Sequence, residues 1–233
     1  MLATACTGTD DPEPAPQREP SASPSEPRGD GVAVRQMGAW GRKACDLPIT
    51  YLKRIERGHF EGRAPELAFV PSKPNFFGDF AVTSHSGPWP YLQEVPLTFF
   101  GPGHIRSLGR FTPSRPATVA DLPATLAELV GLEWPEDRPG RPIEEVLLDE
   151  DERKDPPKMI LVVVWDGGGW NVLNQWPDAW PHLARLMAEG ANVEGTIVGS
   201  SPSVTPAVHA TIGTGVFPNE HGAVDLSFRN EDG

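Results

Sequence analysis

Six consecutive apolar residues, MILVVV at 159–164, begin the longest unbroken hydrophobic stretch in the chain. Such a run predicts a central parallel strand buried on both faces, because a strand with one wet face alternates instead. Asp166 then falls at or just past the carboxyl end of that strand, the edge at which open α/β sheets bind ligands. Downstream, WPHLARLMAEG (180–190) has the spacing of an amphipathic helix closed by a glycine, and ANVEGTIVG (191–199) reads as a second short strand. Upstream, ELAFVPS (66–72) reads as a strand, FAVTSHSG (80–87) as a strand entering a loop, and VPLTFFGPG (95–103) as a buried strand stopped by a Gly-Pro-Gly turn. Leu122, Leu126, Leu129 and Val130 recur at helical spacing within 118–132, with Gly131 as the stop. Alternating strand, helix and strand predict an α/β fold with a doubly wound, mostly parallel sheet and helices on both faces.

The polar stretches divide the chain. Residues 7–31 combine prolines, charges and small polar side chains with almost nothing to bury, which predicts that residues 1–46 are a disordered, proline-rich linker. Ordered structure is expected over 47–148, an acidic connector over 149–158, and a second segment over 159–233. With 27 prolines and 24 glycines, helices should be short and well punctuated.

Charge narrows the partners. Twenty basic against 32 acidic residues leave a formal net charge of −12, which disfavours nucleic acid or an anionic membrane face as a bulk electrostatic partner. No apolar run reaches the roughly 18 residues of a membrane span. The two cysteines, Cys6 and Cys45, form no CxxC pair, so a cysteine-ligated zinc site is not expected. The opening MLATAC is similar to the end of a bacterial lipoprotein signal. This predicts an extracytoplasmic protein with a membrane tether through Cys6, although the charged and apolar regions of a signal peptide are missing. The alternative is a cytoplasmic protein.

Candidate chemistry lies in the second segment. Asp166, followed by three glycines, is suited to a divalent cation, because glycine lets backbone and phosphate approach closely. It is equally suited to turning the chain into the next helix. Thr205 precedes Pro206 and reads as a helix N-cap. The same position would hold a hydroxyl against the free N–H groups of a helix N-terminus, where a phosphoryl oxygen binds. His209 and His221 rank lower, as core or supporting histidines. Ser200, Ser201 and Ser203 lack the G-x-S-x-G elbow of a serine hydrolase, and WDGGGW lacks dinucleotide-binding spacing.

VVVWDGGG, followed some forty residues later by TPAVHATIGTGVFPNEHG, resembles the alkaline phosphatase superfamily, in particular its type I phosphodiesterase and nucleotide pyrophosphatase branch. The resemblance implies that Asp166 is a metal ligand and that Thr205 is both nucleophile and metal ligand. Val208 stands where the family often has an asparagine that helps hold the phosphoryl oxygen. Residues 47–148 resemble the C-terminal part of phosphatases of the same superfamily, with His85 at the position of a zinc ligand, although Ser86 interrupts the expected His-Gly. The usual tail then precedes the usual head, which implies a circular permutation joined through 149–158.

The resemblance further implies two divalent metal ions, zinc by expectation, and a small-molecule phosphoric ester as substrate. A phosphodiester or pyrophosphate is favoured over a monoester. The D-x-x-x-H run and Asp-His pair that complete such a site do not occur in these residues. An incomplete fold, continuing beyond Gly233, is therefore expected. The alternative is an inactive fragment or a lipid-tethered binding protein without a complete two-metal site.

Overall fold

The computed structural model describes residues 46–75, 85–153 and 155–228. The linker expected over 1–46, except for Asp46, and the proposed tether Cys6 lie outside these residues, as do residues 80–84 of the expected strand before His85. Two compact units divide the chain, Met1–Lys53 and Arg54–Gly233. Of the first, the described residues contribute the start of helix α1 (Ile49–Arg57), which runs across the division. No helix among the described residues is long and apolar enough to cross a membrane.

The second unit is mixed α/β. Its one-turn helix α2 (Pro90–Gln93) leads into strand β1 (Thr98–Phe99), and a turn through His104 connects this to β2 (Gly109–Phe111). Helix α3 (Asp121–Leu129) follows, then short α4 (Trp170–Leu173), α5 (Pro181–Glu189), strand β3 (Ala191–Val193), α6 (Thr205–Thr214) and one-turn α7 (Pro218–His221). In the three-stranded sheet the order is β1-β3-β2. β3 pairs antiparallel with β1, Thr98 opposite Asn192, and parallel with β2, Arg110 opposite Asn192. Strands from 47–148 thus flank one from 159–233.

Against this sheet pack Leu97, Phe99, Ala117, Ile143, Val146, Leu147, Ala191 and Val193, all buried. Asp121, also buried, is fully engaged: its carboxylate accepts from the backbone N–H of Thr118 at 2.7 Å and of Arg141 at 2.8 Å, and it pairs with Arg115. Burial of a charge is tolerable only with partners of this kind.

The helical expectations hold with trimmed ends. Residues 118–132 yield α3, after which Gly131 takes the left-handed φ of 70° that stops a helix. Residues 180–190 yield α5, with Gly190 as its C-cap.

The strand expectations need correction. Residues 66–72 and 159–164 belong to no sheet, and Glu66 and Leu67 lie in a bend. No strand among the described residues pairs with 159–164. Side chains at 159, 161 and 163 are 67–78% exposed, and those at 160, 162 and 164 are 40–44% exposed. A central parallel strand needs neighbours on both edges and layers on both faces, and here the run has neither. The expected strand 191–199 is cut to β3 because Gly195, at φ 68°, turns the chain; Ile197 then bridges Glu94 and Thr118. A doubly wound parallel sheet is not formed among the described residues.

Candidate functional site

Three chain segments carry the sequence-derived candidates, and the fold joins them. The loop at 85–87 bears His85, the turn after the exposed run bears Asp166, and the start of α6 bears Thr205. Gly167, at φ 71°, makes the Asp166 turn and lies beside the His85 ring, where a β-carbon would stand 3.9 Å from Cδ2. The positive φ reserves that position for glycine.

At the centre is the Asp166 carboxylate. Thr205 Oγ1 donates to Asp166 Oδ2 at 2.9 Å, and His85 Nε2 lies 3.1 Å from Asp166 Oδ1. His85 and Asp166 side chains remain 46% and 55% exposed, so the cluster is open to a ligand from solution. The structure therefore brings Asp166, Thr205 and His85 into one contact network across 120 residues of sequence.

Thr205 does not cap its helix. Val204 takes the N-cap position, since its carbonyl accepts the first helical bond, from the Val208 N–H at 3.0 Å. Thr205 becomes the first helical residue, and its hydroxyl is turned to Asp166 in place of the backbone. Pro206 follows it, so the first turn holds fixed backbone and N–H groups without intrahelical acceptors.

Hydrogen bonds set the orientation of His85. Its Nδ1–H donates to the Ser203 carbonyl at 3.0 Å, while the Ser203 hydroxyl donates to the His85 carbonyl at 2.8 Å and accepts from the Gly87 N–H at 3.3 Å. With Nδ1 protonated, a neutral ring directs the Nε2 lone pair at a carboxylate oxygen. Two electron-pair donors face each other there, which requires a proton or a cation between them. An imidazole oriented through its second nitrogen is also how histidine ligands are held in metal sites. His85 and Asp166 thus suit a shared divalent cation, with the Thr205 oxygen adjacent. Among the described residues no cluster of three or more His, Cys, Asp or Glu forms a fuller ligand set.

The other two candidate histidines, His209 and His221, stand apart from this carboxylate. His209 Nδ1 bonds the Thr205 carbonyl at 2.9 Å along α6. His221 accepts the Ala223 N–H at Nδ1, so its Nε2–H donates to Thr211 Oγ1 at 3.1 Å, and Thr211 donates to the Ala207 carbonyl. Burial pushes the His221 imidazole below its ordinary value, with the Ala207 carbonyl acting weakly in the opposite direction. That relay ties α7 to the first turn of α6.

Residues 160–233 match the family model of the type I phosphodiesterases / nucleotide pyrophosphatases. This segment of about a third of the chain contains Asp166 and Thr205, whereas His85 lies outside it. No curated protein and no solved structure matches the chain. In the phosphodiesterase-like segment, the side chains that set the geometry include one that sequence reasoning treated only as a failed nucleophile, Ser203. A second, Gln93, lies outside the segment and was missed altogether. No periodicity singles out a glutamine in PYLQ, and two of its three partners, Gly199 and Ser200, are remote in sequence.

Proposed function

We propose that the protein is a hydrolase of phosphoric esters, with Thr205 as nucleophile and a phosphodiester or pyrophosphate as the preferred substrate. The observation that carries this reading is the hydrogen bond from Thr205 Oγ1 to Asp166 Oδ2 at the start of α6. A hydroxyl aimed at a carboxylate has a route for its proton, and the helix N-terminus beside it attracts the anionic ester. The match of 160–233 to a phosphodiesterase family supports the reaction class.

In this reading the substrate's phosphoryl oxygens lie over the first-turn N–H groups of α6. Thr205 Oγ attacks phosphorus while its proton leaves along the hydrogen bond to Asp166 Oδ2. A threonine O–P bond forms, the ester O–P bond breaks, and the departing alkoxide is protonated by water. Water then cleaves the phosphothreonine, which restores Thr205 and releases the phosphoryl product. His85 Nε2 and Asp166 would hold a divalent cation, zinc by our reading, whose Lewis acidity lowers the pKa of the hydroxyl and offsets the charge of the ester.

The test is release of 4-nitrophenolate from bis(4-nitrophenyl) phosphate with added zinc. Turnover should depend on zinc and fall at least roughly a thousandfold in Thr205→Ala, with an unchanged melting temperature because the lost hydroxyl is only partly buried. Absence of turnover with zinc or manganese would overturn the hydrolase reading in favour of a binding or inactive role.

A further inference from the structure

Gln93 is fully buried, and its side-chain amide lies between the segments that carry the candidate site. Its Nε2 group donates one hydrogen to the Gly87 carbonyl at 2.8 Å and the other to the Ser200 carbonyl at 2.9 Å. Its Oε1 accepts from the Gly199 N–H at 2.9 Å. The amide orientation is unambiguous, since the reverse would set a carbonyl against two carbonyls. Gly87 belongs to the His85 loop, and Gly199 and Ser200 to the loop leading into Thr205.

The adjoining backbone reaches the third segment. The Gln93 carbonyl accepts from the Val198 N–H at 2.9 Å, and the next carbonyl, of Glu94, accepts from the Trp170 N–H at 3.1 Å, four residues after Asp166. Gly169 is packed against the same Glu94 oxygen. All three site-bearing segments therefore meet at the C-terminal end of α2, and Gln93 supplies three side-chain bonds there.

We infer that Gln93 is a positioning residue that sets the His85 loop against the Thr205 loop and so fixes the contact of His85 with Asp166. This rests on the reading of Thr205, Asp166 and His85 as the working site. Replacing Gln93 leaves two carbonyls and an N–H unpaired in a dry interior, and such groups open the structure towards water. The strain falls on the loops at 85–87 and 199–203, while the His221 relay, which shares no partner with Gln93, is spared.

That separation supplies the test. Nδ1 of His85 is protonated whatever faces its Nε2, whereas Nδ1 of His221 is an unprotonated acceptor, so the two Nδ1 nitrogens give opposite shifts in two-bond 1H–15N spectra. The full chain, labelled at histidine and recorded at pH 8 without added metal, should show both, with assignments from His85→Gln and His221→Gln. In Gln93→Met, the His85 pattern should collapse to the averaged shifts of a freely exchanging imidazole while His221 keeps its own. Gln93→Glu, which retains only the acceptor for Gly199, serves as the second variant and should give the same result. An unaltered His85 pattern in either folded variant overturns the proposal. Loss of both patterns in both variants also overturns it, by making Gln93 a support of the whole fold. Because the readout is independent of turnover, an inactive protein with a Gln93-dependent His85 ring would sink the hydrolase reading and leave the positioning role standing.

Discussion

Leu147 and Leu161 are the same side chain in opposite circumstances. Leu147 is 2% exposed and packs with Ile143 and Val146 against the small sheet, whereas Leu161 is 75% exposed in an apolar run that no described strand joins. The site draws on both regions. His85 and Thr205 are fixed by loops stitched through Ser203 and Gln93, while Asp166 follows the uncovered run. The contrast shows that the geometry around a carboxylate can be defined by polar contacts from its partners' side, independently of the sheet that the carboxylate's own segment calls for.

Truncation of the two leucines tests the contrast directly. Leu147→Ala should cost about 2–5 kcal/mol, the range for deleting a buried leucine side chain, read as a fall in the urea midpoint. Less than that would show the core around β3 to be loosely packed.

An effect of intermediate size comes from pH. The folded-state value of His221 is lowered, so between that value and the ordinary 6.5 the unfolded chain binds the extra proton. The His221 contribution to stability is fully present above pH 6.5 and is lost as the pH falls through 6.5 towards the folded-state value. Thermal melts at a series of pH values should show this loss in the native protein and a flatter profile in His221→Phe. Equal slopes would remove His221 from the link between α6 and α7.

The smallest change belongs to Leu161→Ala, which should alter stability by no more than about 0.5 kcal/mol, as for substitutions away from packed features. A cost near that of Leu147→Ala would mean that the run is covered in solution, and the contrast would vanish.

The legible part of the molecule was local. Apolar spacing and a following glycine located α3 and α5 within a few residues, because both signals act over a single turn of helix. The TPAVH stretch pointed to a helix start at Thr205, off by the single position that frees the hydroxyl for Asp166. The apolar run at 159–164 was misjudged because hydrophobicity states a demand for burial without stating what meets it. Ser203 and Gln93 were illegible for a different reason: both bonds of the Ser203 hydroxyl and two of the three of the Gln93 amide reach backbone groups more than a hundred residues away, and backbone groups carry no residue identity.

Between Lys158 and Asp166 the uncovered run contains no charge and no proline, the residues that ordinarily discourage strands of neighbouring molecules from adding to an edge. Asp155, Pro156, Pro157 and Lys158 guard its start, and Asp166 alone guards its end. Asp166 therefore has a colloidal duty alongside the chemical one proposed for it, and a neutral substitution there should favour fibrous or amorphous self-assembly at concentrations the native chain tolerates. Loss of function in such a variant would confound chemistry with solubility, whereas Thr205→Ala, which leaves these guards in place, separates them.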